Sequence, residues 1–137
     1  MRLSFTLPVD ATPAVVWPYL IEFGQRRLWE TDLESLDYDG PIANGTTGTM
    51  KLAGMPLLAF ELVNTTPGQS VADRVDIPGG GSLEFSHVIS VENGTTVLTQ
   101  EVKLDKSAFD SDDLDFLTGV FADTPQAAWR LKSLAEQ

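Results

Sequence analysis

A chain of 137 residues with 42% apolar side chains is long enough to build one domain around its own core and too apolar to stay disordered. Its formal charge of −11, from 20 acidic and 9 basic residues, argues against anionic partners, so neither nucleic acid nor acidic lipid is expected. The absence of cysteine excludes disulfides, thiolate catalysis and cysteine-ligated zinc. No apolar run approaches the ~18–20 residues of a membrane span, so no membrane insertion is expected.

In chain order, Arg2 to Pro8 alternates, with Leu3, Phe5 and Leu7 on one side, and reads as a strand with one buried face. The same alternation lacks the unbroken apolar segment of a signal peptide, so a cytoplasmic protein is expected. The sequons at Asn44, Asn64 and Asn93 are then read as turn and strand-end residues. Thr12-Pro13 supplies a cap followed by proline at the first helical position. The helix it starts carries Val16, Leu20 and Phe23 inward with Trp17 beside them, bends at Pro18, and ends at Gly24. Arg26 to Asp32 reads as a second short helix holding Leu28 and Trp29.

From Leu33 onward the period becomes two. Leu36 and Tyr38 mark a strand, broken by Asp39-Gly40-Pro41 and Asn44-Gly45. Thr47 to Ala53 and Leu57 to Thr65 follow, the second with Leu58, Phe60 and Leu62 on one face. After the Pro67-Gly68 turn, Val71, Asp73, Val75 and Ile77 share a face, and Pro78 to Gly81 forms a flexible loop. Leu83 to Glu92 and Thr95 to Leu104 flank Asn93-Gly94, the clearest hairpin signal in the chain.

Asp110 to Leu134 reads as one long helix, kinked at Pro125 and roughly 35 Å long at 1.5 Å per residue. Asp110 or Ser111 caps it, acidic residues crowd its first turn, and Leu114, Leu117, Phe121, Ala128, Leu131 and Leu134 form an apolar stripe. Strands and helices are segregated, which predicts an α+β fold. Its curved antiparallel sheet of about seven strands wraps the last helix, two short helices plug one end, and residues 1–137 make a single domain.

Val9 to Trp17, Leu28 to Glu34 and Gly45 to Thr49, taken with this order of elements, resemble the START/Bet v 1-like (SRPBCC) superfamily, including its bacterial polyketide cyclase/dehydrase-like branch. The resemblance implies a helix-grip fold with a cavity between the sheet and the C-terminal helix. Its members bind lipids, polyketides and similar molecules, cyclise or dehydrate polyketides, or assist chaperones. They share no catalytic motif, so no catalytic residue is carried over.

His87, the one histidine, lies in phase with Leu83, Phe85, Ile89 and Val91. It is either a polar anchor or proton carrier in the cavity, or a buried histidine bonded to a neighbour. Gln100 lies in phase with Leu98 and Val102 on the adjacent strand. Asp73 faces inward unless the register slips by one residue, in which case Arg74 does. Trp29, Tyr38, Phe60, Phe85, Leu117 and Phe121 are the candidate apolar lining. The acidic run near Asp110 lacks the spacing of a calcium loop, so neither metal nor cofactor is expected. The leading expectation is a monomer or homodimer that binds a small hydrophobic molecule. The alternatives are a metal-free cyclase or dehydratase using His87 with Asp73 or Arg74, and a chaperone-cofactor-like interaction module.

Overall fold

A computed structural model covers residues 1–137. The alternating segments pair into one seven-stranded antiparallel sheet with the strand order β1-β7-β6-β5-β4-β3-β2. The strands are β1 (Arg2–Val9), β2 (Leu33–Tyr38), β3 (Thr47–Leu52), β4 (Leu58–Thr66), β5 (Ser70–Asp76), β6 (Ser82–Glu92) and β7 (Thr95–Asp105). From β2 to β7 each strand lies beside the next in sequence, and β1 closes the far edge against β7. The hairpin between β6 and β7 turns where Asn93 and Gly94 both take positive φ, 52° and 81°, the backbone a two-residue turn of this hand requires. That turn sets the register that puts His87 opposite Gln100.

Two helices join β1 to β2: α1 (Pro13–Ile21) and α2 (Phe23–Trp29). The boundary between them is Glu22, not Gly24. Glu22 is extended (φ −90°, ψ 125°), yet its N–H still donates to the Pro18 carbonyl at 2.9 Å, and its own carbonyl accepts from Arg26 N at 2.7 Å. The second helix therefore starts three residues earlier than the sequence pattern predicts, with Gly24 inside it. Its buried face carries Arg26 and Trp29, while Leu28 is about half exposed.

The C-terminal helical region is also divided, into α3 (Ser111–Phe121) and α4 (Thr124–Ala135). The kink predicted at Pro125 becomes a break upstream of it. A proline ring cannot sit in the turn that follows Phe121, but at the start of a new helix its missing N–H costs nothing. Ala122 N closes α3 on Gly119 O with a tight three-residue bond, and Ala127 N opens α4 on Asp123 O at 3.0 Å. The break splits the predicted stripe. Ala128, Leu131 and Ala135 pack into the main core and Leu117 into a second one, while Leu114 is left 48% exposed. The acidic run is absorbed by the α3 start. Asp110 accepts from Asp112 N and Asp113 N, and Asp113 accepts in return from Asp110 N at 2.9 Å and from Lys106 Nζ at 2.8 Å.

The main core of sixteen buried residues lies under α1, α2 and α4. Val16, Leu20, Leu62, Leu98, Ala128 and Leu131 retain no exposed surface there, so no water-sized space adjoins them. The hollow expected beneath the last helix is thus filled along α4. The second core joins Leu83, Val102 and Leu104 of the sheet to Leu117 of α3. No helix is long and apolar enough to cross a membrane.

Two stability predictions follow from these contacts. Asp110→Ala removes the cap of α3 and should lower unfolding stability by about 1 kcal/mol, read from the urea midpoint. Gly48 in β3 lies between Tyr38 and Phe60, and a Cβ there would fall 2.4 Å from the Asp37 carbonyl oxygen and 2.5 Å from Phe60 Cζ. Gly48→Ala should therefore cost about 1–3 kcal/mol in the same measurement, and a neutral result would mean the two strands yield freely there.

Candidate functional site: a polar band on an apolar inner face

Alternation sends Val71, Asp73 and Val75 of β5 inward, with Leu83, Phe85, His87 and Ile89 of β6 and Leu98, Gln100, Val102 and Leu104 of β7. Three of those positions are polar and nearly inaccessible: Asp73 at 0%, Gln100 at 3% and His87 at 7%. The register sets His87 opposite both Val71 and Gln100, and Asp73 opposite Phe85 and Leu62. The polar residues thus form a band across the sheet, with the main core on one side and the smaller core on the other.

The band is completed from above by Arg26 of α2, 2% exposed. Its Nη2 donates to Asp73 Oδ2 at 3.4 Å, its Nη1 to the Leu20 carbonyl at 3.3 Å, and its Nε to Glu30 Oε2 at 2.6 Å. The guanidinium also sits 6.0 Å from the centre of the Trp29 ring, within cation–π range. Burial by itself would lower the Arg26 pKa. Glu30 and Asp73 outweigh it, and the pKa rises above its ordinary value, so the side chain stays charged.

His87 responds in the opposite direction. Burial, and after it the Arg26 cation, push its pKa down from 6.5 to about 4, against the pull of Asp73 and Gln100. The ring is therefore neutral at pH 7. Its Nδ1 is hydrogen-bonded to Gln100 Oε1, and because an amide oxygen only accepts, Nδ1 carries the proton and Nε2 the lone pair. The Trp29 ring meets the imidazole edge-on, with centroids 6.0 Å apart. Trp29 is itself fixed by its Nε1, which donates to the Tyr19 carbonyl at 2.7 Å, and by its carbonyl, which accepts from Arg130 Nε of α4 at 3.0 Å. Tyr38 stands edge-on to Phe60 at 5.8 Å, and burial raises its phenol to about 12, with Arg26 pulling the other way.

Four buried polar atoms in this band have no hydrogen-bond partner: Tyr38 Oη, Asp73 Oδ1, His87 Nε2 and Gln100 Nε2. Beside them the inner face is not fully covered. α3 packs against β1 and β7, while Phe5, Tyr38, Leu58, Val75 and Phe85 of the sheet and Phe121 of α3 remain only half-buried. Two surface grooves lie elsewhere and touch none of the band. One of about 390 Å³ runs past Leu28, Trp129 and Leu134, and one of about 570 Å³ borders Pro8–Pro13 and the β6–β7 turn.

Among the residues singled out by sequence, Asp73, His87, Gln100, Trp29, Tyr38, Phe60 and Phe85 thus meet on or against this part of the inner face. Leu117 and Phe121 belong to the smaller core. Arg74 does not join them. It points to the outer face, where it pairs with Glu61 of β4 at 3.3 Å in an exposed cross-strand contact. Arg26 and Glu30 are the residues that sequence reasoning missed. The signal was present as an Arg26, Trp29, Glu30 spacing of three and four within the predicted Arg26 to Asp32 helix.

No family model and no curated protein matches the sequence. Among solved structures, the chain is similar to protein MLL2253 from Mesorhizobium loti, with a TM-score of 0.74 and 15% identity over 98% of this chain and 96% of that one. It is similar to Ara h 8.0201, with a TM-score of 0.69 and 10% identity over 98% and 97% of the two chains. It is also similar to DynU16, a protein of the dynemicin biosynthetic locus, with a TM-score of 0.71 and 14% identity over 99% of this chain and 47% of that one. With its seven-stranded sheet gripping a C-terminal helical arm, the chain has the helix-grip fold of the START/Bet v 1-like (SRPBCC) and polyketide cyclase-like proteins.

Proposed function

We propose that the chain binds a small hydrophobic molecule against the half-open inner face beside α3, with the polar end of that molecule on the Asp73–His87–Gln100 band. The carrying observation is the set of four buried, unpartnered polar atoms within an otherwise apolar wall. An unmet buried donor or acceptor costs about 1–3 kcal/mol, so four together are a standing penalty that a polar group would relieve by parting the side chains that enclose them. The apolar part of the ligand would lie along Val75, Phe85 and Phe121, whose remaining exposure marks where surface is left to cover.

A second reading is supported by the convergence of ionisable groups. Arg26 and Asp73 are 3.4 Å apart, and both act electrostatically on His87 and Tyr38. In that reading the same pocket orients a polyketide-like chain for a cyclisation or dehydration.

Binding is tested by solvent extraction and mass spectrometry of the purified protein, together with titration of the neutral dye Nile red. Phe85→Asp, which puts a charge on the inner face, should weaken dye binding about tenfold or more. Val88→Asp on the outer face should leave it unchanged. Equal effects of the two substitutions would remove the inner face from the proposal.

The neutral state of His87 has its own signature. Between about 4 and 6.5 the unfolded chain takes up a proton on this residue that the folded chain refuses, so stability is complete above 6.5 and falls as the pH drops. Urea unfolding should show a loss of about 2 kcal/mol from pH 7 to pH 5 that His87→Asn lacks, since the chain has no other histidine. Identical pH profiles for the two proteins would mean that the imidazole is not held neutral.

A further inference from the structure

The unpartnered atoms also define what kind of polar end they would take, an inference that rests on the binding reading above. Asp73 Oδ1 can only accept a hydrogen bond, and His87 Nε2, with its proton on the other nitrogen, can only accept as well. Gln100 Nε2 can only donate, and the Tyr38 hydroxyl does either. Turning the Gln100 amide over exchanges the roles of the imidazole and the amide together. It leaves the same demand, because the ligand must still both donate and accept.

Charge narrows the choice further. Arg26 is one cation against the two carboxylates of Asp73 and Glu30, with the imidazole neutral, so the band carries a net negative charge. Three of the five guanidinium N–H bonds are taken, by Glu30, the Leu20 carbonyl and Asp73, and the single positive charge is already opposed by two carboxylates. A ligand carboxylate would add a third negative charge around that one cation, and it would face Asp73 Oδ1 and an imidazole lone pair. An ammonium meets the acceptors but has nothing to offer Gln100 Nε2, and it must shed its own hydration to enter.

We propose that this site selects a neutral hydrophobic molecule ending in a hydroxyl, an alcohol or phenol, over the carboxylates and amines of the same chain. A hydroxyl donates to Asp73 or His87 and accepts from Gln100 in one small group.

The test is a matched series, dodecanol, dodecanoate and dodecylammonium, titrated at neutral pH against bound Nile red on the intact protein. Dodecanol should displace the dye at a concentration at least about tenfold lower than either charged analogue, the ratio that corresponds to one good hydrogen-bond mismatch. In Gln100→Leu the advantage of the alcohol should shrink to about threefold or less. Tyr38→Phe, a milder change at a half-buried site, should lower alcohol binding while leaving dodecanoate unchanged. Dodecanoate or dodecylammonium displacing the dye as well as dodecanol would overturn the hydroxyl preference and leave hydrophobic binding standing. So would an alcohol advantage untouched in both variants. Failure of the dye and of all three compounds to bind would end both.

Discussion

The interaction on which the rest of the interior depends is the buried pair of Arg26 and Asp73. Removing two charges from water costs several kcal/mol per ion, and a single contact at 3.4 Å does not return it. Arg26 is tolerated because Glu30, the Leu20 carbonyl and the Trp29 ring share the load. Asp73 alone would be an uncompensated charge in the core, a penalty on the order of 3–5 kcal/mol, whereas Arg26 alone would keep Glu30. The pair therefore acts as a latch. It ties α2 to the middle of the sheet at one position of β5, and a register slip on that strand would bring the Arg74 cation to Arg26 in place of a carboxylate.

The latch also sets the electrostatics of everything near it. The Arg26 cation helps burial keep His87 neutral, and it tempers the rise of the Tyr38 phenol. Because His87 is neutral, its one proton is committed to Gln100, and the imidazole lone pair is turned to the other side. The polar band is thus a chain of consequences: the charged pair helps keep the imidazole neutral, and the orientation of the Gln100 amide decides whether the free imidazole nitrogen accepts or donates. The same band explains why the apolar interior is in two parts. Leu62, Val71 and Leu98 lie on its one side, and Leu83, Val102 and Leu104 on the other.

How much of this was readable follows from which signals are local. The sheet was legible because period-two alternation and the Asn93-Gly94 turn are written in adjacent residues. The inward aim of Asp73, His87 and Gln100 was legible for the same reason, since a polar residue in phase with apolar neighbours stands out. Arg26 was not, because its burial depends on a helix that begins at Phe23, and an extended Glu22 between two helical turns leaves no composition signal. Pro125 announced an interruption but not its place, because a proline fits the first turn of a new helix as readily as it breaks an old one. The filled space under α4 was beyond reach as well. A hollow is the difference between two large volumes, and neither periodicity nor spacing encodes it.

The protonation states bear on the choice between holding a molecule and transforming it. Proton transfer is served best by a group whose pKa lies near the working pH. Here the imidazole is displaced to about 4 and the phenol to about 12, while the guanidinium is held charged. At neutral pH each group is locked in one form, about two or more pKa units from the point at which it would exchange a proton easily. Locked groups are poor shuttles and good fixed dipoles. They present the same pattern of donors and acceptors whether or not anything is bound, which is what orienting a ligand requires. An enzyme built on this band would first have to bring one of those pKa values back toward neutrality, and the substrate would have to supply that shift by displacing Arg26 from His87 or by drawing the phenol out of its apolar surroundings. The binding reading asks for no change of protonation, only for the side chains that enclose the four unpartnered atoms to part, and that is the physical reason to prefer it.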